Sequence, residues 1–350
     1  MEFPEGKFLT DIHHHLSGSF CEVLLEKIAI RKGIKLDENF KEKLMEYDSL
    51  PDFVDKWADF SPIYAGDSNA VEELVYDCVR RCAEIGVVYL ETRICTFLYT
   101  SHSPYYIQYE NFKPDINTQK EALEVVKKAV RRAMKDFPIL VKIILVAVRT
   151  MYKYNTELTE LLSEGDDLIV GIDTAGDESA PMSDEEFLSL KSFYQAAAKH
   201  NLGRTFHAGE TCGAENIIKA IEEFGAQRIG HGYALINDEN LAKELKQKDI
   251  HFELCPVSSV MIQKNDSFKD MKTTFNWFFD QDLNVSLNSD DSMFFKCVDV
   301  SINHCQSKFN IDDKKILKAL LDSARSSFLN DNDKKRLIDH IKKNFRLTMT

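Results

Sequence analysis

The segment Phe8-Leu9-Thr10-Asp11-Ile12-His13-His14-His15 has the apolar, β-branched pattern of a β-strand and ends in three histidines. Residues two apart on a strand point to the same face, and direct neighbours point to opposite faces. His13 and His15 can therefore bind one metal ion while His14 faces away from it. This segment predicts the first strand of a sheet and the first two ligands of a metal site.

Seven further runs of this kind follow, each ended by polar or glycine-rich residues. The eight predicted strands are Phe8–His15, Val87–Ile94, Val141–Val148, Leu168–Asp173, Arg204–His207, Arg228–His231, His251–Cys255 and Asn284–Leu287. Segments with apolar residues at helical spacing lie between them. The clearest predicted helices are Ala70–Ile85, Lys120–Lys135, Asp184–Lys199, Ala214–Phe224 and Asp238–Lys246.

Strand and helix alternate almost throughout the chain, and this order predicts an α/β fold with a parallel sheet. Eight repeats favour a closed (β/α)8 TIM barrel in one domain, residues 1–350, over an open doubly wound sheet. The stretch from Cys21 to Ala65 is too long for one crossover helix. It predicts extra helices over the C-terminal mouth of the barrel, where a lid would form.

Composition narrows the classes of partner. The formal charge of −13 argues against nucleic acid and anionic membranes, which favour basic surfaces, and fits a small neutral or cationic substrate. The longest apolar run, Ile143 to Val148, is too short to cross a bilayer. Residues 1–11 lack the pattern of a signal peptide, so we expect a cytoplasmic protein. We also expect a monomer.

The eight cysteines include no Cys-x-x-Cys pair, which in a chain of 350 residues predicts reduced thiols rather than a disulfide framework. Cys78 and Cys82 share one face of a predicted helix. We interpret them as packing residues.

Three later motifs supply further metal-binding or acidic side chains. Phe206-His207-Ala208-Gly209-Glu210 places a carboxylate three residues after a histidine, although His207 alone could be a buried structural residue. In Gly230-His231-Gly232, close approach of the backbone to a ligand explains the glycines.

The third motif, Asn288-Ser289-Asp290-Asp291, has two adjacent carboxylates. Either could cap a helix that begins near Ser292, but a pair at the mouth of a barrel favours a site. Asp173, Gly176 and Asp177 at the end of the fourth strand have the same ambiguity, since this loop could be only a turn. Phosphate-binding loops and nucleophile motifs are not evident, so covalent catalysis is not expected.

Together these motifs closely resemble those of the adenosine and AMP deaminase family. The resemblance extends to Gly86–Glu91, Gly171–Glu178, Arg228–Tyr233, Ser286–Asp291 and Ser326–Leu329. It implies zinc-dependent hydrolysis of adenosine, and of 2′-deoxyadenosine, to the inosine nucleoside and ammonia in purine salvage. The implied ligands of one zinc ion per chain are His13, His15, His207 and Asp290.

The same resemblance implies roles for the remaining site residues. Glu210 would protonate N1 of the purine ring, and His231 with Asp290 would orient the attacking water. Asp291 and the Gly176 amide would hold the base. The implied substrate contacts are His15, Ser17, Phe53, Val54, Trp57, Gly176 and Asp291.

One position departs from the family pattern. Ser17 stands where the family usually has an aspartate that binds the 5′-hydroxyl of the ribose. This change leaves open a deaminase of 5′-methylthioadenosine or N6-methyl-AMP. Arg149 is a candidate for binding a phosphate, but a structural ion pair is the favoured prediction. A non-catalytic, deaminase-like binding protein is the alternative from another class.

Overall fold

The computed structural model describes residues 3–109, 112–163, 166–262 and 270–348. Its eight strands form one sheet in the order of the sequence. They are β1 (Leu9–His15), β2 (Val87–Ile94), β3 (Leu140–Val148), β4 (Ile169–Ala175), β5 (Gly203–Ala208), β6 (Arg228–His231), β7 (His251–Leu254) and β8 (Asn284–Leu287). All eight predicted strands are confirmed, with ends that differ by at most two residues.

Each strand pairs in parallel with the next, from β1 to β8. The residues after β8 then return to β1 through a parallel bridge between His14 and Asp290. The Asp290 amide donates to the His13 carbonyl at 2.9 Å, and the His15 amide donates to the Asp290 carbonyl at 3.1 Å. These bonds close the sheet, so the (β/α)8 barrel is confirmed and the open-sheet alternative is wrong.

The helices lie between and around the strands. They are α1 (Glu22–Arg31), α2 (Phe40–Leu44), α3 (Leu50–Asp55), α4 (Trp57–Phe60), α5 (Ser68–Glu84), α6 (Gln119–Asp136), α7 (Tyr152–Asn155), α8 (Leu158–Ser163), α9 (Asp184–Lys199), α10 (Ala214–Phe224), α11 (Glu239–Gln247), α12 (Pro256–Ile262), α13 (Met271–Asp280), α14 (Ser292–Phe295), α15 (Val298–Phe309), α16 (Asp313–Ser326) and α17 (Asp331–Thr348). Helices α9 and α10 have the predicted ends. The helices of the described ranges are too short or too polar to span a membrane.

Local sequence explains where the long helices begin. Thr118 accepts a hydrogen bond from the Glu121 amide, and the Glu121 side chain accepts one from the Thr118 amide. This capping box satisfies two amides that a helix start leaves without partners. Ser183 caps α9 in the same position by accepting from the Glu186 amide at 3.2 Å.

The segment between β1 and β2 forms α1 to α4 before the crossover helix α5, as predicted. Phe53 and Trp57 pack edge to face at 5.3 Å between ring centroids. Both rings also pack on Phe294, which follows β8. These short helices therefore cover the C-terminal mouth of the barrel.

Charged side chains fill part of the barrel interior. Arg228 pairs with Glu91 and with Glu253, each at 2.7 Å, and Arg93 pairs with Asp173 at 2.7 Å and with Glu253. All five side chains are buried. We call Glu91, Arg93, Asp173, Arg228 and Glu253 the interior network. Every member has an ionic partner, which limits the cost of burying the charges.

Candidate active site

The four sequence motifs meet at the C-terminal end of the barrel. His15 Nε2 lies 3.1 Å from His207 Nε2 and 3.5 Å from Asp290 Oδ1. His13 Nε2 lies 3.8 Å from the same Asp290 oxygen. Ring nitrogens of His13, His15 and His207 all lie within 4.8 Å of one another. Strands β1, β5 and the end of β8 thus aim three imidazoles and one carboxylate at a common point.

Two of the converging side chains stand on backbone that is rarely adopted by residues with a Cβ. His231 has a φ of 65° and Asp290 a φ of 67°. Such conformations persist where the surrounding structure imposes them, and they concentrate at functional sites. Gly230 explains the close packing beside them, since a Cβ there would lie 3.0 Å from His13 Cε1.

The interior network orients the imidazoles from below. Glu253 Oε2 lies 2.8 Å from His13 Nδ1, and Asp173 Oδ2 lies 3.0 Å from His207 Nδ1. Arg93 links the two carboxylates by pairing with both. Carboxylates that accept from Nδ1–H leave the Nε2 lone pairs of the two histidines directed at the common point.

Sequence reasoning missed Arg93 and Glu253 and left Asp173 undecided. The available signal was a charged residue within an otherwise mainly apolar strand. Both β2 and β7 contain such residues, and every residue of these two strands is buried. A buried charge requires a partner, so such a residue predicts a nearby opposite charge.

The donor set fits a metal ion. Burial lowers the pKa of His13 and His15 well below the usual value, and Arg93 or neighbouring histidines add to the effect. The two rings are therefore neutral at physiological pH and can donate lone pairs. His13 Nε2 is buried without a hydrogen-bond partner in the described parts of the chain. Neutral imidazoles with one carboxylate are a ligand set that zinc accepts.

Burial favours the protonated forms of the acidic side chains around the ligands. Burial raises the pKa of Glu210 well above its usual range, and the nearby carboxylates Asp290 and Glu178 add to this. Burial, together with Asp290, also raises the pKa of Asp291. His231 Nε2 lies 3.6 Å from Glu210 Oε2, and burial lowers the pKa of that histidine. The surroundings thus favour the neutral forms of both the imidazole and the carboxyl groups.

Glu178 holds the loop that carries Glu210. Its carboxylate accepts from the amides of Gly209 and Cys212, each at 2.8 Å, and from the Thr211 amide. Gly209 has a φ of 68°, which suits glycine. Glu178 fell inside a motif used for the family resemblance, but its role in positioning was not predicted.

A cavity that is open to solvent lies above the ligands. All seven predicted substrate contacts line it, namely His15, Ser17, Phe53, Val54, Trp57, Gly176 and Asp291. Trp57 Nε1 donates to Ser17 Oγ at 3.0 Å. Ser17, the residue that departs from the family pattern, is thus hydrogen-bonded to one of the short helices that cover the mouth. Asp291 fits because Gly18 has no Cβ, which would lie 1.7 Å from Asp291 Oδ1.

The loop after β4 divides its residues between site and turn. Gly176 lines the cavity, whereas Asp177 accepts from the amide and hydroxyl of Ser179 and so forms a turn.

The predicted ion pair of Arg149 is wrong for the described residues. Its guanidinium instead donates to the carbonyl oxygens of Gly176 at 3.1 Å and His207 at 2.5 Å.

Comparison with known proteins gives a consistent result. A family model described as adenosine deaminase matches residues 9–344. The adenosine deaminase of Xenopus tropicalis is 32% identical over 346 residues, which cover 94% of this chain and 93% of that protein.

Solved structures show the same fold at lower identity. The adenine deaminase of Arthrobacter aurescens has a TM-score of 0.83 and 23% identity, with 96% of this chain and 98% of that chain covered. The N6-mAMP deaminase of Arabidopsis has a TM-score of 0.78 and 20% identity, with 98% of each chain covered.

Proposed function

The chain belongs to the adenosine deaminase family and is a hydrolytic deaminase, and we propose that its substrates are adenosine and 2′-deoxyadenosine. The products would be the inosine nucleosides and ammonia. The observation that carries this proposal is the convergence of His13, His15, His207 and Asp290 beneath a cavity that Glu210 and Asp291 also line.

We propose one zinc ion per chain, held by His13, His15, His207 and Asp290. Nitrogen-rich ligation favours zinc over magnesium or calcium. When bound, zinc supplies Lewis acidity that lowers the pKa of water from about 15.7 to about 7. Ser258 Oγ donates to Asp290 Oδ2 at 2.6 Å, which leaves Oδ1 on the side of the histidines.

Side chains of the protein then donate and accept protons near the carbon that water attacks. Attack on an aromatic ring carbon requires an electron sink, and protonation of ring N1 creates one. Glu210 suits this role because burial raises its pKa and so favours the protonated form that can donate. In our proposal Glu210 donates to N1, while His231 and Asp290 orient the attacking water. A proton later transferred to the amine makes ammonia a leaving group.

The base would be held from two sides. Asp291 has a buried Oδ1 without a hydrogen-bond partner among the described residues, and its raised pKa favours the protonated form that can donate. A protonated Asp291 can donate to N7, which only accepts. The Gly176 amide would donate to N3, since Gly176 also lines the cavity.

Recognition of the 5′ group of the nucleoside depends on Ser17. Ser17 is small and uncharged, and its hydroxyl already accepts from Trp57. This observation favours 5′-methylthioadenosine as a second candidate, because that substrate has no 5′-hydroxyl to bind. A hydrogen bond to a charged group contributes about 1.5–3 kcal/mol and one to a neutral group about 0.5–1.5 kcal/mol, so we expect Ser17 in place of the family aspartate to weaken adenosine binding by about tenfold without abolishing it.

The cavity has few cationic groups that could bind a 5′-phosphate. Among the described residues that line the cavity, Arg93 is the cation, and it already pairs with Asp173 and Glu253. Arg149 donates to two backbone carbonyls. Phosphate recognition requires cationic donors that are available to the ligand. We therefore rank N6-methyl-AMP below both nucleosides.

We further propose that the enzyme works in purine salvage in the cytoplasm. The eight cysteines, Cys21, Cys78, Cys82, Cys95, Cys212, Cys255, Cys297 and Cys305, are all free. Free thiols in this number are typical of a reducing compartment.

The test is a deamination assay with zinc-loaded protein on adenosine, 2′-deoxyadenosine, 5′-methylthioadenosine, AMP and N6-methyl-AMP. Conversion is followed by the change in ultraviolet absorbance of the purine and by release of ammonia or methylamine. Preference for adenosine supports the main proposal, and preference for 5′-methylthioadenosine supports the second. Turnover confined to the two nucleotides would overturn both.

A further inference from the structure

A second cluster of metal-binding side chains lies on the outer side of β1. His14 points away from the catalytic cavity, as the strand alternation predicts, and faces helix α5. Cys78 and Cys82, one helical turn apart, face it from that helix. The three side chains are almost completely buried, with exposed fractions of 1%, 1% and 5%. We call His14, Cys78 and Cys82 the outer cluster.

The distances in the outer cluster match metal coordination. Cys78 Sγ lies 3.7 Å from His14 Nε2, and both lie within 4.8 Å of Cys82 Sγ. Zinc binds sulfur at about 2.3 Å and imidazole nitrogen at about 2.0–2.1 Å in tetrahedral geometry, which puts the two ligand atoms about 3.6 Å apart. Only small side-chain shifts are needed to bring the third ligand into place.

A hydrogen bond from Thr92 sets the histidine for ligation. Thr92 Oγ1 lies 3.4 Å from the His14 carbonyl oxygen, to which it donates, and 2.9 Å from His14 Nδ1. In the Nδ1-protonated tautomer, which a metal at Nε2 requires, the hydroxyl donates to the carbonyl and accepts from Nδ1–H. The Nε2 lone pair of His14 then faces the two thiols. Metal-binding histidines are held in their tautomer by such an outer hydrogen bond.

We propose that the outer cluster binds one thiophilic d10 cation, Zn²⁺ or Cu⁺, at a site separate from the catalytic one. Binding forms two metal–sulfur bonds and one metal–nitrogen bond, and the two thiol protons leave to solvent. Two thiolates and a neutral imidazole cancel the charge of a divalent ion, which reduces the cost of burial.

A bound ion would join α5 to the strand that carries His13 and His15. Packing alone explains two buried thiols. His14 Nε2 makes a hydrogen-bonded contact with Cys78 Sγ at 3.7 Å, which places the nitrogen that would bind the ion directly against one of the thiols.

The test uses the fact that the proposed catalytic ligands include no sulfur. Co²⁺ is titrated into metal-stripped, fully reduced full-length protein while thiolate-to-cobalt charge-transfer absorbance is recorded. A second arm titrates Cu⁺ against a chromophoric Cu⁺ chelator. We expect one metal equivalent beyond the catalytic one, with the charge-transfer band in the Co²⁺ arm or tight binding in the Cu⁺ arm. The arm that responds identifies the class of ion.

Matched variants locate the signal. We expect Cys82→Ala to lose the extra equivalent and its spectral signature, and Cys305→Ala, which removes a buried thiol elsewhere, to keep both. The proposal is overturned if the unaltered protein binds one Co²⁺ without thiolate absorbance and shows no tight Cu⁺ binding. It is also overturned if Cys305→Ala, rather than Cys82→Ala, loses the signal. Neither result depends on deaminase activity.

Discussion

The interior of the barrel and its C-terminal mouth bury the same kinds of side chain but satisfy them differently. In the interior network, Arg228 pairs with Glu91 and Glu253 at 2.7 Å. At the mouth, His13 Nε2 and Asp291 Oδ1 are buried without a hydrogen-bond partner in the part of the chain that the structure describes. Buried groups with partners stabilise a fold, and buried groups that lack them are available to a ligand.

The difference has an energetic cost that the fold must cover. A buried polar group left unsatisfied costs about 1–3 kcal/mol. The closed sheet imposes that cost on the mouth, because the backbone bonds around Asp290 fix where its side chain points. The two regions predict opposite responses to mutation, with loss of chemistry at the mouth and loss of stability in the interior.

Removal of the acid at the mouth should have the largest effect. We expect Glu210→Gln to keep its metal and lower kcat by about 10²–10⁴-fold, because glutamine cannot donate a proton to N1. Steady-state kinetics with metal analysis measures both, and the exposed Glu215→Gln on α10 is the matched control. Near-normal turnover in a metal-loaded Glu210→Gln enzyme would exclude the proposed role.

The same carboxyl predicts a pH dependence. Burial raises the pKa of Glu210, and only its protonated form can donate. We therefore expect kcat/KM to fall as pH rises through that raised pKa. A profile recorded by stopped-time ammonia release tests this, and a rate that stays level far into alkaline pH contradicts it.

A break in the interior network should cost stability instead. Glu253→Gln leaves Arg93 and Arg228 without a shared carboxylate, and the loss of one partner from a buried pair costs about 3–5 kcal/mol. We also expect zinc affinity to fall about 10–100-fold, since Glu253 orients His13. Chemical unfolding and metal competition measure the two effects.

The control for this prediction is Glu244→Gln, which removes an exposed ion pair with Lys248. Exposed pairs contribute about 0–1 kcal/mol, so this variant should unfold almost like the unaltered protein. An equal loss of unfolding free energy in Glu253→Gln and Glu244→Gln would show that the interior network stabilises the fold no more than an exposed ion pair does.

A smaller effect is expected from His251, which is hydrogen-bonded at both nitrogens to Asn284 and Ser286 at 2.7 and 2.9 Å. Burial lowers its pKa to about 3 in the folded protein. The unfolded chain binds this proton near pH 6.5, so the stability contributed by neutral His251 is lost as pH falls from about 6.5 towards about 3.

This shift predicts a loss of about 2 kcal/mol between pH 7 and pH 5, at about 1.36 kcal/mol per pH unit below 6.5. Gln at position 251 does not titrate, so His251→Gln should show a pH dependence of unfolding that is weaker by this amount. Unfolding curves at pH 7 and pH 5 give the change in the free energy of unfolding for each protein. An equal change in both proteins would show that His251 does not contribute this pH dependence.

The smallest effect should come from the lid. Trp57→Phe keeps an aromatic ring over the cavity but removes the donor to Ser17. We expect the freed hydroxyl to bind the 5′-hydroxyl and to shift the kcat/KM ratio towards adenosine over 5′-methylthioadenosine by up to about tenfold. An unchanged ratio would mean that Ser17 does not contact the 5′ group.

Several features followed from short stretches of sequence. The strand pattern of residues 8–15 placed His13 and His15 on one face and His14 on the other, because side chains alternate along a strand. The alternation of strands and helices predicted the barrel, and the barrel predicted that four distant motifs meet. These inferences rest on local periodicity and on one rule of topology.

The partners of buried charges could not be predicted in this way. Arg93 joins Asp173 and Glu253, which lie 80 and 160 residues further along the chain. Glu178 holds amides more than 30 residues away. Which charges face one another depends on strand register and on the tilt of a closed sheet, and neither is encoded in a short segment.

The sequence by itself therefore determined the class of fold, the residues able to bind a metal and the side of β1 on which each histidine lies. Only the tertiary structure decided which buried groups find partners and which remain available. It gave every member of the interior network an ionic partner, left His13 Nε2 and Asp291 Oδ1 without hydrogen-bond partners among the described residues, and brought His14 against two thiols. The physical reason is that desolvation and pairing are set by segments distant in the chain, whereas periodicity is set by neighbours.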